Sequence, residues 1–300
     1  MKILLTGATG MLGKKIYNIL NNEQYTVLGI ARNNQITNIA ENVIMGDVTD
    51  IKFLNQITNS FKPNLIIHTA ANINVNSCDV DKGYANLINN ESGKMLAKLC
   101  RNAIFIYIST DAVYDGKAGN YDEFSLTNPL NYYGISKLNG EKSITSIIES
   151  VYILRLNIYG FHTPLRSSLF EWAINSLKAG KEITGFKNVF FNPLYTGQVA
   201  QVIKGVLSSQ IPFGTYHVGS DTYFSKYDFL LKIAQRFDLD QKLIKGLCVE
   251  NNSMGVVRAM NTTIKNNKIK SFLPNIDFSI ETGIEQLYND FASEFQYEKY

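Results

Sequence analysis

The chain has 300 residues, of which 45% are hydrophobic and 18% are charged, so it can bury a sizeable core. Its 29 lysines and arginines nearly balance 26 aspartates and glutamates, and the formal net charge is +3 at pH 7. The basic residues are spread thinly apart from KNNKIK (265–270), which argues against nucleic acid as a partner, and no apolar stretch approaches the about 18 residues that span a bilayer.

The cysteines and the first residues indicate the compartment. The three cysteines, at 78, 100 and 248, form neither the even set of a disulfide framework nor a C-x-x-C pair. Glycines in MKILLTGATGMLGKK interrupt the apolar run before a signal-peptide core could form. We therefore expect a cytoplasmic protein.

Strand-like apolar runs alternate with helix-like segments through the first half of the chain. The helix-like segments include MLGKKIYNIL (11–20), IKFLNQITNSF (51–61) and YANLINNESGKMLAKLC (84–100). Apolar strands separated by helices are typical of a parallel sheet covered on both faces. We predict a doubly wound α/β domain over residues 1–160. Its predicted strands are KILLT (2–6), YTVLGI (25–30), NVIM (42–45), NLIIHTA (64–70), AIFIYIS (103–109) and VYILRL (151–156).

After residue 160 the alternation is less regular. FHTPLRSS (161–168) is predicted as a loop and NVFFNPLYTG (188–197) as an irregular segment. We predict a smaller substrate lobe over residues 161–300, partly interleaved with the sheet. Its predicted elements are the helices SLFEWAINSLKAGK (168–181), QVAQVIKGVLSS (198–209) and KYDFLLKIAQRF (226–237) and the strand GTYHVGS (214–220).

A glycine-rich turn follows the first predicted strand. TGATGMLG places Gly7, Gly10 and Gly13 in a G-x-x-G-x-x-G pattern, with a helix beginning at about Met11. Such glycines allow a tight turn, close approach of the backbone to a diphosphate and close packing of helix on strand, and the helix N-terminus favours the anion. At the first strand-to-helix turn, this pattern predicts a dinucleotide site.

The end of the second predicted strand bears on the choice of cofactor. An Asp or Glu at this point binds the ribose 2'-hydroxyl of NAD, but GIARN (29–33) has neither. Arg32 instead stands where it can bind a 2'-phosphate. The segment therefore favours NADP(H), with NAD(H) as the other possible cofactor.

The stretch NPLNYYGISKLNGEK (128–142) contains a Y-x-x-x-K spacing, whose weight depends on its position. In a helix beginning near residue 131, Tyr133 and Lys137 lie about 40° apart on one face, whereas Tyr132 lies about 140° from Lys137. Ile135 and Leu138 lie on a different arc of the helix and are expected on the buried side. A lysine one turn away would lower the pKa of the tyrosine, so that the pair could move a proton to or from a carbonyl oxygen.

The fifth predicted strand supplies a hydroxyl for the same carbonyl. FIYISTDAVYDG (105–116) contains Ser109, Thr110 and Asp111 at the carboxyl edge of the sheet, where open α/β proteins bind ligands. A hydroxyl from this strand end is expected to polarise the carbonyl that the tyrosine protonates.

In their order and spacing, TGATGMLG, PNLIIHTAA, STDAVYDG and NPLNYYGISKLNGEK resemble the extended short-chain dehydrogenase/reductases. More narrowly, they resemble the dTDP-4-dehydrorhamnose reductase branch, which NPLYTGQVA, GTYHVGS and RAMNTTI (258–264) echo in the second half. The resemblance implies a Rossmann-type sheet with a C-terminal substrate lobe. It also implies an NAD(P)-dependent oxidoreductase that acts on a nucleotide sugar in polysaccharide biosynthesis.

Catalytic roles follow from the resemblance. Thr110 matches the Ser/Thr that hydrogen-bonds the substrate carbonyl, with Ser109 as an auxiliary. Tyr133 matches the proton donor, and Lys137 matches the group that lowers its pKa and holds the nicotinamide ribose. Asn89 matches an asparagine that orders the neighbouring strand end.

Cofactor contacts follow in the same way. The matching positions form the diphosphate loop, border the adenine, lie under the cofactor or hold its ribose. Together with Arg32, they are Gly7, Gly10, Met11, Leu12, Gly13, Asp47, Val48, Ala70, Ala71, Tyr133 and Lys137.

Two segments depart from the pattern of the branch. Where the branch often reads V-D-x-x-E, this chain has Val75, Asn76 and Asp79, and where the branch often reads D-Q-x-G-x-P-T, it has FKNVFFNPLYTG (186–197). The sugar or the nucleotide can therefore differ from that of the branch. Arg258 is a candidate for the nucleotide diphosphate, because guanidinium matches phosphate. The substrate candidates are thus Ser109, Asp111, Asn76 and Arg258.

Other residues of chemical interest are expected to pack. His68 lies in an apolar strand, where a satisfied core imidazole is expected, and the three histidines are too scattered for a metal site. Trp172 lies in a helix with apolar residues at core spacing, so packing is expected rather than base stacking. No metal is predicted.

Three functions remain open. The first is an NADP-dependent reductase of the 4-keto group of a nucleotide-activated 6-deoxysugar, with Tyr133 protonating the oxygen. The second is a nucleotide-sugar epimerase with bound NAD, against which Arg32 argues. The third is a catalytically silent regulatory or binding subunit, as some relatives of the branch are, although an intact Thr110, Tyr133 and Lys137 set argues against it. The resemblance is also compatible with a homodimer.

Overall fold

A parallel sheet of seven strands forms the centre of this computed structural model, which describes residues 1–21, 24–32, 42–249 and 256–296. The strands of the protein are β1 (Lys2–Thr6), β2 (Thr26–Ala31), β3 (Val43–Met45), β4 (Leu65–His68), β5 (Ile104–Thr110), β6 (Val151–Leu156), β7 (Ile158–Tyr159), β8 (Ile183–Phe186), β9 (Phe190–Phe191), β10 (Leu194–Tyr195), β11 (Gly214–Val218), β12 (Phe224–Ser225) and β13 (Ile244–Leu247). The sheet has the order β3-β2-β1-β4-β5-β6-β11, with every neighbouring pair parallel. This arrangement confirms the predicted doubly wound α/β fold.

Helices cover both faces of the sheet. They are α1 (Met11–Leu20), α2 (Ile51–Phe61), α3 (Val75–Val80), α4 (Lys82–Asn86), α5 (Ser92–Leu99), α6 (Tyr132–Thr145), α7 (Leu169–Lys178), α8 (Thr196–Ser208), α9 (Lys226–Arg236), α10 (Asn267–Phe272) and α11 (Ile280–Phe295). Residues of α1 and α8 pack with Ile3 and Leu5 of β1, and residues of α2, α5 and α6 pack with Leu4. Successive residues of β1 are therefore apolar, because each face of the strand meets a helical layer.

The chain changes direction across the sheet at β1. It moves outward from β1 through β2 to β3, then returns to β4 on the other side of β1 and continues through β5 to β6. Open α/β sheets bind ligands beside such a reversal, at the carboxyl ends of the strands. Here the turn at Gly7 meets the segment after β4, since a Cβ on Gly7 would lie 2.7 Å from Oγ1 of Thr69.

The second half of the chain forms a lobe beside these carboxyl ends. Its aromatic core includes Phe170, Phe191, Phe229 and Phe291, all at most 3% exposed. Strand β7 pairs with β10, β8 with β13 and β9 with β12, so the segment predicted to be irregular contributes two short strands. Strand β11 joins the central sheet beside β6. The boundary near residue 160 stays a prediction.

Two helical segments differ from the expectation. Residues 84–100, predicted as one helix, contain the end of α4, a π-helical turn (Leu87–Glu91) and α5. Helix α11 is absent from the sequence-based prediction, although Ile284, Leu287 and Phe291 bury one side of it in the lobe. Ile280, Ile284, Leu287 and Phe291 recur at helical spacing, so the sequence carried a signal for this helix that the prediction missed.

Candidate active site

A cavity of about 1450 Å³ lies where the carboxyl ends of the strands face the lobe. Of the residues assigned to the site from the sequence, Asn76 is exposed on α3 and does not line this cavity. The others do line it: Gly7, Gly10, Met11, Leu12, Gly13, Arg32, Asp47, Val48, Ala70, Ala71, Ser109, Thr110, Asp111, Tyr133, Lys137 and Arg258.

The glycine turn has the shape that a diphosphate requires. Gly7 has a φ of 69°, and a Cβ on Gly13 would lie 2.0 Å from the carbonyl oxygen of Gly7. Within the described residues, no side chain caps the N-terminus of α1, whose N-cap is Gly10. The N–H groups of its first turn and the positive end of its dipole are therefore left for an anion. The residues present fit the diphosphate of a dinucleotide.

The ends of β2 and β3 form the next part of the cavity wall. Arg32 follows β2, and its exposed side chain donates a hydrogen bond from Nη1 to the hydroxyl of Tyr84. Asp47 follows β3, and its Oδ1 accepts hydrogen bonds from the backbone N and the Oγ1 of Thr49, both at 2.8 Å. These strand ends present one cation and one partly satisfied carboxylate to the cavity.

Thr110 contacts Tyr133 where β5 meets α6. The Thr110 side chain lies close enough to Tyr133 to lower the pKa of the phenol. The Oγ1 of Thr110 also lies 3.2 Å from Oδ1 of Asp111 and accepts a hydrogen bond from the backbone N of Ala112 at 3.1 Å. The fold therefore brings together the hydroxyl and the phenol that the sequence analysis assigned to one carbonyl.

Helix α6 has the phase that the sequence analysis expected for its tyrosines. The helix begins after Asn131, whose Oδ1 accepts a hydrogen bond from the backbone N of Gly134 at 3.1 Å. Tyr133 and Lys137 line the cavity. Tyr132 does not line it, and its ring centroid lies 5.6 Å from Nζ of Lys82. Tyr133 is therefore the tyrosine of this pair that faces the site.

The buried face of α6 is only partly the one expected. Leu138 is 8% exposed, as expected, but Ile135 is 37% exposed, so the expectation that it is buried is wrong, and Lys137 is only 2% exposed. A Cβ on Gly140 would lie 2.3 Å from the hydroxyl oxygen of Tyr107 in β5. Because this glycine lets α6 approach β5 closely, the face that carries Lys137 is buried although it is polar.

Burial controls the protonation of the Tyr133 and Lys137 pair. It raises the pKa of Tyr133 to about 12, against a lowering by the Thr110 side chain. It lowers the pKa of Lys137 to about 7, against a raising by the Glu141 carboxylate. The expected lowering of the Tyr133 pKa by Lys137 stays a prediction. With a pKa of about 12, Tyr133 is protonated at neutral pH.

A ring and an asparagine support Lys137 from behind. Its Nζ lies 4.0 Å from the ring centroid of Tyr107, whose hydroxyl donates to the carbonyl oxygen of Asn89. The Asn89 side chain accepts from the backbone N of Asn72 at 2.8 Å and donates to the carbonyl oxygen of Asn72 at 2.9 Å. It also donates to Oγ of Ser136 at 2.9 Å. Asn89 thus ties the segment after β4 to α6, which agrees with the role that the resemblance implies.

A buried ion pair that the sequence analysis missed lies behind the strand end. Glu141 and Arg155 are 5% and 7% exposed, and Nη2 of Arg155 lies 2.6 Å from Oε2 of Glu141. The hydroxyl of Ser109 donates to Glu141, and Nη1 of Arg155 donates to the hydroxyl of Tyr114 at 2.8 Å. The signal in the sequence that could have pointed to Glu141 is its position one helical turn after Lys137. The hydroxyl of Ser109 donates to this ion pair, whereas that of Thr110 donates to Asp111 at 3.2 Å and lies beside Tyr133.

The lobe contributes basic residues to the opposite wall. Arg258, Lys226 and His162 line the cavity, and the sequence analysis had selected only Arg258 as a candidate contact. Nδ1 of His162 lies 3.0 Å from Oε2 of Glu171. Burial alone would raise the pKa of Glu171, but hydrogen bonds from His162 and the backbone lower it to about 2. Glu171 therefore remains an anion that holds His162 in the wall.

His68 and Trp172 differ in outcome, although both were expected to pack. His68 is fully buried, with Oγ1 of Thr6 at 2.8 Å from Nδ1 and Oγ of Ser92 at 3.0 Å from Nε2, which confirms a satisfied core imidazole. Trp172 is 41% exposed and lines the cavity, so its assignment to the core is wrong. It lies off the buried apolar stripe of α7, which consists of Phe170, Ala173, Ile174 and Leu177.

Two features are absent from the described part of the chain, a metal-binding cluster and a membrane-spanning helix. No group of three or more histidines, cysteines, aspartates or glutamates in it could hold a metal ion. No helix in the same ranges is both long enough and apolar enough to cross a membrane.

Comparison with known proteins gave matches over both halves of the chain. The family model described as RmlD substrate binding domain matches residues 1–292. Methionine adenosyltransferase 2 subunit beta of Danio rerio is 27% identical and covers 99% of this chain, with 92% of its own length matched. The dTDP-4-dehydrorhamnose reductase of Aggregatibacter actinomycetemcomitans is 28% identical, with 83% of each chain covered. A crystal structure of the Bacillus anthracis dTDP-4-dehydrorhamnose reductase in complex with NADP is 25% identical, with a TM-score of 0.84 over 96% of this chain and 99% of that one.

Proposed function

The chain belongs to the RmlD substrate binding domain family, and we propose that it is an NADP-dependent reductase of the 4-keto group of a nucleotide-activated 6-deoxysugar. The observation that carries this proposal is the contact between Thr110 and Tyr133 in a cavity that also contains the glycine turn. A hydroxyl and a phenol this close can serve a single carbonyl oxygen. The two reductases among the matched proteins support the reaction class, and the NADP complex of one supports the cofactor.

The chain provides contacts for each part of the cofactor. NADPH would supply the hydride that reduces the carbonyl carbon. Gly7, Gly10 and Gly13, with the uncapped first turn of α1, would hold its diphosphate. Arg32 would hold its 2'-phosphate. Lys137 would bind the nicotinamide ribose, as the family resemblance implies.

Tyr133 donates the proton in the proposed reaction. Its pKa of about 12 keeps the phenol protonated at neutral pH, so a proton is ready when negative charge develops on the carbonyl oxygen. Thr110 donates its hydroxyl hydrogen to the same oxygen and stabilises that charge. Lys137, one helical turn away, stabilises the phenolate that remains when its own amine is protonated.

Turnover of a nucleotide-sugar ketone is the direct test. We expect the protein to oxidise NADPH in the presence of dTDP-4-dehydrorhamnose and to form one reduced sugar per NADPH consumed. Parallel assays with GDP-, UDP- and CDP-linked 4-keto-6-deoxysugars would identify the nucleotide. If all these ketones were inert with both NADPH and NADH, the reductase proposal would fail.

Replacing Arg32 by alanine is expected to weaken NADPH binding about 10- to 100-fold and to leave NADH binding unchanged. This loss of affinity corresponds to one hydrogen-bonded contact with a charged group. NADH binding should not change, because NADH lacks the 2'-phosphate that would contact Arg32. Fluorescence titration of both nucleotides would measure the change, with Arg101→Ala as a control that removes another exposed arginine. Tighter binding of NADH than of NADPH by the unaltered protein would contradict the assignment and favour the epimerase.

The match with the Danio rerio protein favours a second candidate function, a subunit of another enzyme. The name of that protein describes a beta subunit of methionine adenosyltransferase 2, and it covers nearly all of this chain. Such a function predicts no turnover with any ketone, together with a change in the activity of a methionine adenosyltransferase when the chain is added. The Thr110 and Tyr133 contact supports the reductase instead, because a scaffold has no physical need for it.

A further inference from the structure

Lys226 is held in the lobe wall of the cavity by its own backbone and by an aromatic ring. It is the first residue of α9, it is half-buried, and its backbone N donates to the carbonyl oxygen of Val189 at 2.9 Å. Its Nζ lies 3.2 Å from the ring centroid of Phe191, which also lines the cavity. The ammonium group is therefore fixed at the wall and does not extend into solvent.

The ammonium group of Lys226 has N–H donors that no acceptor in the described ranges uses. In the described ranges, no oxygen accepts a hydrogen bond from its Nζ and no carboxylate forms an ion pair with it. Burial lowers the pKa of Lys226 to about 7, while Asp111 raises it and Arg258 lowers it. An amine held over a ring in the wall of a cavity is matched by oxygen acceptors of a ligand.

Asp111 lies next to the proposed carbonyl-binding hydroxyl and attracts Lys226. The Asp111 side chain is buried, with its Oδ1 3.2 Å from Oγ1 of Thr110 and its Oδ2 accepting from Nδ2 of Asn157 at 2.8 Å. Burial raises the pKa of this carboxyl, whereas hydrogen bonds from Thr262 and Asn157 and the charge of Lys226 lower it. The carboxyl oxygens remain acceptors with capacity for one further hydroxyl donor.

We propose that Lys226 and Asp111 form a subsite for a hydroxyl group on the carbon next to the reacting carbonyl, and that Lys226 thereby selects α-hydroxy ketones. In this subsite Lys226 donates to the hydroxyl oxygen, and the hydroxyl donates to Asp111. The proposal rests on the proposed function, in which Thr110 binds the carbonyl oxygen. Thr110 and Asp111 are consecutive and their oxygens are 3.2 Å apart, so they suit oxygens on adjacent carbon atoms.

The chemistry of the proposed substrate identifies that hydroxyl. In a 4-keto-6-deoxysugar, the carbon on one side of the ketone carries a methyl group, and the carbon on the other side carries the 3-hydroxyl. The 3-hydroxyl is therefore the group expected between Lys226 and Asp111. A ketone without this hydroxyl leaves the charged protein group unpaired. Such a contact therefore discriminates strongly against ketones that lack the hydroxyl.

The test pairs a protein change with a substrate change. With Lys226→Met, we expect kcat/KM for dTDP-4-dehydrorhamnose to fall about 10- to 100-fold and that for its 3-deoxy analogue to change less than about 3-fold. Lys226→Arg, which keeps N–H donors, is expected to recover part of the loss. Lys232→Met is the matched control, because Lys232 lies on the same helix and pairs with Glu281 at the surface. Equal losses on both ketones would overturn the subsite.

Calorimetry separates this proposal from the proposed function. It measures the affinities of wild type and Lys226→Met for dTDP-rhamnose and its 3-deoxy form. Comparison of these four affinities gives the coupling between the Lys226 side chain and the 3-hydroxyl without turnover. Coupling in binding with no reduction of any ketone would contradict the reductase alone and support the subsite. Turnover by wild type with no coupling in either measurement would contradict the subsite alone.

Discussion

Replacing Tyr133 by phenylalanine is expected to lower kcat for ketone reduction about 10³-fold while leaving the Kd for NADPH nearly unchanged. The phenyl ring keeps most of the volume of the side chain but has no proton to donate. Thr110 alone can polarise the carbonyl without supplying the proton. Single-turnover kinetics would measure the chemical step, and fluorescence titration would measure cofactor binding.

The adjacent tyrosine provides a matched control for this change. Tyr132→Phe removes the same hydroxyl from a side chain that does not line the cavity and whose ring faces Lys82. It should retain kcat within about 2-fold, as expected for a change that touches no reacting group. Full activity of Tyr133→Phe on the native substrate would remove Tyr133 from the role of proton donor.

Replacing Glu141 by alanine is expected to lower the free energy of unfolding by about 3–5 kcal/mol, because the buried Arg155 charge loses its partner. Arg155 approaches the carboxylate through Nε at 3.0 Å and Nη2 at 2.6 Å, and both residues are at most 7% exposed. The hydroxyl of Ser109 loses its acceptor in the same variant. Urea unfolding followed by circular dichroism would measure the loss.

A surface ion pair gives the comparison for Glu141→Ala. Glu182 and Lys245 lie 3.1 Å apart with side chains 63% and 57% exposed, so Glu182→Ala is expected to cost at most about 1 kcal/mol. The double variant Glu141→Ala, Arg155→Met should be more stable than Glu141→Ala, because it removes the unpaired charge. A loss for Glu141→Ala as small as that for Glu182→Ala would show that the buried pair does not stabilise the fold.

Elements stabilised by neighbouring residues were predicted closely. Strand β1 and helix α2 begin and end at the residues that the sequence analysis gave. The start of α2 is encoded locally, since Oδ1 of Asp50 accepts a hydrogen bond from the backbone N of Lys52 at 2.9 Å. The glycine turn was predicted equally well, because Gly7 and Gly13 lie beside a strand pattern and a helix pattern that are themselves local.

Elements whose environment comes from distant parts of the chain were predicted less well. Ile135 and Trp172 are apolar residues on helices, yet both are exposed, because the helices pack through other faces. No pattern in the sequence selects Lys226 either, because it lines the same cavity as Asp111 only when the lobe folds against the sheet.

Sequence patterns are sufficient to predict the alternation of strands and helices, the glycine turn and the common face of Tyr133 and Lys137. These features depend on residues that are neighbours along the chain. Contacts between distant segments are set by folding: the hydroxyl of Ser109 meets Glu141, whereas that of Thr110 lies beside Tyr133. Folding also sets the protonation of the site, because burial, which raises the pKa of Tyr133 and lowers that of Lys137, depends on all the elements that exclude water from a side chain.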